Sequence, residues 1–428
     1  INGVRIGDLT PDDHEKIEKE RGGQNYAPLE NVVISKVKDS STLIARKPHP
    51  EDVSKYIEEE ILDGLCCYSA VNQGQLNQTI VNAVIKHLQE EKLPTVPRSI
   101  RHKYMSAFLL AATSITSMDR VIPKVAGVES WELSFKICRR WGYEVKGIPK
   151  NKAIVVGATG NFHGRSLSAV SFSDDPVSRE NFGPFVPGIE LVPYNNIDAL
   201  EDLFDKKGDY IAAYMVEPIQ GEAGVIVPDD DYFIKVSELC SKHNILLSMD
   251  EVQTGFGRTG RNFAHQLFNV KPDIIVMGKG MGGGLPIGAF TASHRLMQLL
   301  EEYPKLGHIT TFGGNSLIAS AALATLRTIR ESRLMNKISS KEELIRKELI
   351  HPCIKEIRGM GLMLAPLFNN PEIANQLVIK SIDKGLLLFW LLWEKKAIRI
   401  TPPLTISEKE IKKGCEILKS VLDELMGC

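Results

Sequence analysis

Lys279 closes the apolar run DIIVMGK and Asp250 closes ILLSMD, so an amine and a carboxylate stand at the ends of two β-type segments. A lysine so placed can form a Schiff base with an aldehyde cofactor. A carboxylate beside a pyridine nitrogen keeps that ring protonated and able to accept carbanion electrons. Taken alone, the pair also fits a surface lysine and a helix-capping aspartate. The GKGMGGG segment is a poor nucleotide loop, because a Walker A motif has Ser or Thr after its Gly-Lys and here Gly280 follows Lys279.

Other residues supply parts of the same chemistry. AGVES (126–130) precedes a helical pattern and offers backbone N–H groups at a helix N-terminus, where a phosphate could sit; an ordinary helix start reads the same way. In NFHGR, Phe162 lies just past a strand end, where an aromatic face could stack on a planar ring, and Arg165 follows three residues on. Arg399 in AIRITPP sits on an otherwise apolar strand. Both arginines suit bidentate carboxylate binding, and each alone suits a structural salt bridge equally well. Glu217 and Glu222 in EPIQGEAG are loop carboxylates or partners for those arginines.

The elements that must hold these residues follow from patterning. From about residue 150 short apolar runs alternate with amphipathic helical stretches, the pattern of βαβ units around a mostly parallel sheet, whose ligands bind beyond the carboxyl ends of the strands. The sequence predicts an α/β architecture in three parts: an N-terminal arm over residues 1–50 contributing to a small domain, a large domain over 51–320, and a small C-terminal α/β domain over 321–428. Residues 386–393 read as one buried strand, being far shorter than the roughly 20 residues of a membrane-spanning helix. Ser407 and Glu410 stand in capping-box spacing ahead of the final helix.

The 428 residues carry a net charge of -1 with both signs mixed throughout, so no electrostatic footprint for nucleic acid or a membrane surface exists. A small-molecule substrate fits better. Seven cysteines, with no C-x-x-C pair, indicate neither a disulfide framework nor a zinc site and suit a reducing compartment. The first stretch, DLTPDDHEKIEKERGG, is charged and unlike a signal or transit peptide. The expected location is the cytoplasm, or the mitochondrial matrix if a leader has been removed.

Taken together, the segments resemble the class III aminotransferases, pyridoxal-phosphate enzymes of fold type I, and among them the ornithine-specific branch. The resemblance is carried by YSAVNQG (68–74), RRWGYEVKGIPKNKA (139–153), NFHGRSLSAVS (161–171), NFGPFVPGIELVPYN (181–195), VEPIQGEAGVIVP (216–228), MDEVQTGFGRTG (249–260), GKGMGGGLPIGA (278–289) and TTFGGN (310–315). It implies pyridoxal 5'-phosphate held by Lys279, with Lys279 also shuttling the substrate proton. Asp250 would pair with the pyridine nitrogen, Gln253 contact the ring hydroxyl and Phe162 stack on the ring. Gly127 and Val128 would give N–H groups to the phosphate, and Thr311 would reach the phosphate of a neighbouring subunit, which implies a homodimer with shared sites.

The same resemblance implies a substrate. Tyr26 and Arg165 match the positions that hold the α-carboxylate of ornithine, and Tyr68 matches the branch's tyrosine. Arg399 would bind the α-carboxylate of 2-oxoglutarate, with Glu222 masking it while ornithine is bound. The implied reaction gives glutamate 5-semialdehyde and glutamate. Rival readings are an enzyme for acetylornithine, 4-aminobutyrate or another ω-amine, and a non-catalytic structural or regulatory relative, against which Lys279 and Asp250 argue.

Overall fold

A computed structural model describes residues 9–23, 29, 32–301 and 303–426. In the N-terminal part, β1 (Val33–Val37), β2 (Thr42–His49) and β3 (Asp52–Asp63) form an antiparallel meander. A larger sheet follows from β4 (Arg120–Lys124), β5 (Ile154–Ala158), β6 (Ile189–Val192), β7 (Ile211–Val216), β8 (Leu246–Asp250), β9 (Ile274–Met277) and β10 (Gly288–Ala292). The C-terminal part holds β11 (Ile354–Met360), β12 (Met363–Phe368), β13 (Leu386–Leu387), β14 (Phe389–Trp390) and β15 (Ile398–Arg399).

The seven strands of the large sheet run in the order β4-β10-β9-β8-β7-β5-β6. The β5, β6, β7, β8 and β9 pairings are parallel, while β10 lies antiparallel to both β9 and β4. The mostly parallel sheet expected from the alternating pattern is therefore present. All residues of β7, β8, β9 and β10 are buried, which explains why they read as continuous apolar runs: helices cover both faces. Along β7 the pleat divides its side chains between two cores. Ala213 and Met215 join Trp131, Phe135 and Phe172 on one side, and Tyr214 and Val216 join Phe204, Phe233 and Val236 on the other.

The helix Gly127–Glu144 packs its Trp131, Leu133, Phe135 and Ile137 on the first of these faces, so its N-terminus is fixed at the carboxyl edge of the sheet. The final helix, Glu408–Met426, begins as the sequence predicts: Ser407 N–H donates to Glu410 Oε2 at 2.7 Å and Glu410 N–H donates to Ser407 Oγ at 3.3 Å.

One sequence expectation meets a different arrangement. Residues 386–393 are not one strand, because their backbone serves three partners. β13 pairs in parallel with β3, β14 pairs with β15, and residues 391–393 form a loop. Residue 50 lies at the turn between β2 and β3, whose long hairpin joins β13 in one four-stranded sheet. Leu62 accordingly packs in a core with Leu364, Leu386, Ile400 and Leu418. Among the described residues no helix is long and apolar enough to cross a membrane, and no cluster of His, Cys, Asp and Glu is arranged to hold a metal ion.

A Cβ on Gly288 would lie 2.1 Å from the carbonyl oxygen of Ala126 and 2.5 Å from Ser130 Oγ, so β10 touches the start of the helix Gly127–Glu144 through a bare backbone. Gly288→Ala is expected to cost about 1–3 kcal/mol, as overpacked interiors do. A lower urea midpoint at unchanged slope would be the readout; an unchanged midpoint would mean that the helix start is free to move.

Candidate active site

The carboxyl ends of β8 and β9 bring Asp250 and Lys279 to one cavity, which Gly127, Val128, Phe162 and Gln253 also line. Lys279 follows Gly278 into a short helical turn with φ of 40°, a left-handed backbone unusual for a residue with a side chain. Burial and the neighbouring Arg399 push its ammonium below the usual lysine value, against the pull of Glu222, Asp250 and Glu217.

Asp250 is held from two sides. Its Oδ1 accepts the N–H of Val252 at 3.0 Å, and its Oδ2 lies 2.7 Å from Nδ1 of His163, the donor in this pair with an acceptor-only carboxylate. The His163 ring is buried and stacked on Trp131, with centroids 4.9 Å apart and planes 13° from parallel. Next to it, Glu217 is buried and accepts N–H bonds from Phe162 at 3.0 Å and Gly221 at 3.2 Å. Burial pushes its carboxyl up to about 7; His163 opposes that shift and Asp250 adds to it.

The second half of the site is built around Arg399 on β15, which is 2% exposed. Its Nη2 donates to Glu222 Oε1 in a buried ion pair, and Leu392 N–H donates to the other carboxylate oxygen at 3.2 Å. Burial alone would raise the Glu222 carboxyl; Arg399 overrides it and holds the group below its usual range. With its amide carbonyl turned inward, Gln253 accepts from Arg399 Nη1 at 2.6 Å and from Lys279 Nζ at 3.1 Å. The Arg399 guanidinium lies 5.5 Å from the ring centre of Tyr68, which meets Phe389 edge-on at 5.3 Å.

Tyr68 sits in an unusual piece of backbone. Cys66, Cys67, Tyr68 and Ser69 have φ values of 55°, 47°, 57° and 70°, a left-handed turn that costs roughly 1–2 kcal/mol per residue without glycine. Bonds on every side hold it. Asp63 Oδ1 accepts the N–H groups of Leu65 and Cys66, Thr401 Oγ1 donates to Leu65 O, and the fully buried Arg258 donates to Asn72 Oδ1 and Cys66 Sγ.

Of the residues expected from sequence, Lys279, Asp250, Gly127, Val128, Phe162 and Gln253 share the cavity, and Glu222, Arg399 and Tyr68 form its neighbouring corner. Arg165 is exposed beside Phe162 and pairs with neither glutamate; its Nη1 donates to Ser178 Oγ at 2.7 Å. Thr311 lies on an exposed loop outside the cavity, and Tyr26 falls outside the described residues. Sequence reasoning missed His163, whose only signal was its place beside Phe162 past a strand end, and Trp393, hidden in the run read as one strand. Glu222, not Glu217, is the arginine partner.

The uncapped start of the helix Gly127–Glu144 has no side-chain bond to its free N–H groups. A Cβ on Gly127 would meet Val252 at 2.9 Å, so backbone lines that edge. With a half-buried amine and a buried carboxylate at neighbouring strand ends, this defines a pyridoxal-phosphate transferase of fold type I, and these residues fit that cofactor. The family profile "Aminotransferase class-III" matches residues 47–422, and the chain belongs to that family of pyridoxal-phosphate-dependent aminotransferases.

An ornithine aminotransferase of Emericella nidulans is 37% identical over 424 residues, covering 95% of this chain and 89% of that one. The crystal structure of the ornithine aminotransferase from Toxoplasma gondii superposes with a TM-score of 0.87 at 33% identity, covering 98% of this chain and 97% of that one. An acetylornithine aminotransferase from Elizabethkingia anophelis reaches a TM-score of 0.84 at 36% identity, covering 97% and 99%.

Glu217 yields a pH expectation. Its folded pKa of about 7 lies above the ordinary 4.5, so its stabilising contribution is full below about pH 4.5 and is lost as pH rises through about 7. Glu217→Gln is expected to flatten the wild-type loss of unfolding free energy across this window, measured by urea titration at pH 5 and pH 8. Parallel pH profiles in the two proteins would refute a raised Glu217.

Proposed function

We propose that the chain moves the terminal amino group of ornithine to 2-oxoglutarate, giving glutamate 5-semialdehyde and glutamate. The observation that carries this reading is the contrast between two arginines: Arg399 is masked by Glu222, and Arg165 has no such partner. A donor reacting at its terminal amine must be held by a distant carboxylate, for which Arg165 is open, with Tyr26 and Tyr68 as further donor contacts. While Glu222 neutralises Arg399, a carboxylate has nothing to gain there. The oxo acid brings two carboxylates, and Glu222 must leave Arg399 for one of them to bind. One cavity then serves two substrates of different charge.

Bound pyridoxal 5'-phosphate supplies an aldehyde for the amine and a ring that takes up carbanion electrons. Lys279, its ammonium destabilised by burial and Arg399, loses its proton readily and can take the proton from the substrate carbon at Nζ. Asp250, fixed by His163 and Val252, holds a proton on the ring nitrogen. Gly127 and Val128 offer N–H groups to the phosphate, Gln253 faces the ring hydroxyl, and Phe162 covers the ring.

The assembly we infer is a homodimer. Ile100, Leu110, Ile309 and Phe312 are all more than half exposed on or beside the helix Lys103–Thr116 and the loop that carries Thr311, and His102 Nε2 lies 3.1 Å from Gly314 O, joining the two segments. Exposed apolar residues on these segments support an interface there, which would deliver Thr311 to a partner's phosphate. A second donor, acetylornithine, is supported by the likeness to the Elizabethkingia enzyme.

The test is to add ornithine, acetylornithine and 4-aminobutyrate separately to the pyridoxal-loaded protein and follow the visible cofactor band. Ornithine is expected to bleach it fastest, and Lys279→Ala is expected to lose turnover by at least about a thousandfold, as removal of an activated nucleophile and proton carrier does. Faster bleaching by acetylornithine would move the reading to the second donor; no band in the wild type would end it.

A further inference from the structure

We propose that Trp393 is a specificity-determining residue, which together with Phe162 braces one side of the Arg165 guanidinium as the receptor for the donor's carboxylate. The inference rests on the ornithine reading and extends it to a residue outside the expected site. The Arg165 guanidinium carbon lies 5.5 Å from the ring centre of Phe162 and 5.6 Å from that of Trp393, both within cation–π range. The two rings are 6.4 Å apart and inclined by 57°.

A guanidinium donates only in its own plane. Rings beside it leave the N–H edges for a carboxylate, and one Nη1 bond is already committed to Ser178 Oγ. Among the described residues no carboxylate makes a direct ion pair with Arg165; Asp175 is linked to it through Ser178 Oγ, which donates to Asp175 Oδ2 at 2.5 Å, so the remaining N–H groups of the guanidinium are open to a ligand. A planar cation pinned by neighbours loses less freedom on binding than a free side chain, and its bidentate geometry suits a carboxylate.

Trp393 itself is anchored rather than loose. Its indole Nε1–H donates to Asn161 O at 3.3 Å, and its backbone N–H donates to Glu222 O at 3.1 Å. The adjacent Leu392 N–H holds the Glu222 carboxylate that masks Arg399. Residues 392 and 393 therefore touch the receptors for both substrates' carboxylates. The indole serves the donor's site and the Leu392 amide serves the mask on the acceptor's.

The experiment compares ornithine with 1,4-diaminobutane, which lacks the carboxylate, using the cofactor-loaded enzyme. Wild type is expected to prefer ornithine. Trp393→Leu, which is apolar but has no π face, is expected to lower the ratio of the two kcat/KM values about fivefold, the upper reach of a cation–π contact at an exposed arginine, with the loss in KM for ornithine. Trp393→Phe keeps the face and should retain the ratio within about twofold, which also covers the case that the leucine variant does not fold.

A ratio unchanged in Trp393→Leu, equal losses for both donors, or a Trp393→Phe enzyme that loses the preference would overturn the assignment while leaving the donor reading intact. A wild type indifferent to the carboxylate would overturn the donor reading and the assignment with it.

Discussion

The Arg399 guanidinium is taken out of water within reach of the Lys279 amine, and the rest of the site answers that constraint. An unpaired buried charge is costly, and a buried pair is tolerable only when its remaining hydrogen-bonding capacity is filled. Glu222 neutralises Arg399 and is itself completed by the Leu392 amide, while Gln253 can serve both Arg399 and Lys279 with one carbonyl oxygen. Asp250 is held by a hydrogen bond from the His163 ring instead. Glu217, left without a cation in contact, takes backbone amides and is driven toward the neutral acid. Three carboxylates in one small region thus have three different electrostatic roles, set by what each one touches.

Close backbone approach makes this crowding feasible. A Cβ on Gly278 would be 3.3 Å from Gly127 Cα, and one on Gly164, at φ of 126°, would be 2.5 Å from Val128 Cγ2. The segment that carries the lysine, the helix start and the loop after β5 converge because side chains are missing where they meet.

Much of this was legible in the sequence wherever a residue's environment is set locally. Asp250 and Lys279 end continuous apolar runs, and a buried parallel strand has to end in whatever the site requires, so type and position were readable together. The capping box at Ser407 and Glu410 is local in the same sense. What escaped depends on chain segments distant in sequence. His163 matters because Trp131 and Asp250 close on it from other elements. The apolar run at 386–393 was indistinguishable from one buried strand, since its division among β3, β15 and the Glu222 loop is decided by partners elsewhere. The left-handed turn at Tyr68 carries no glycine to announce it and persists only through Asp63, Arg258 and Thr401.

The parallel contact between β3 and β13 also bears on the order of events in making the molecule. Leu62 N–H donates to Gly385 O at 2.8 Å and Gly64 N–H to Leu387 O at 3.0 Å, so the end of the early hairpin is completed by a strand from near the other end of the sequence. At roughly 5–20 residues per second of synthesis, the stretch between them takes on the order of tens of seconds to emerge. Through that interval Ile61 and Leu62 present an open edge of the kind that recruits foreign strands, with the charges of Glu58, Glu59 and Glu60 just upstream as a deterrent. The order of synthesis, and not only final packing, thus sets how long this edge waits for its own partner.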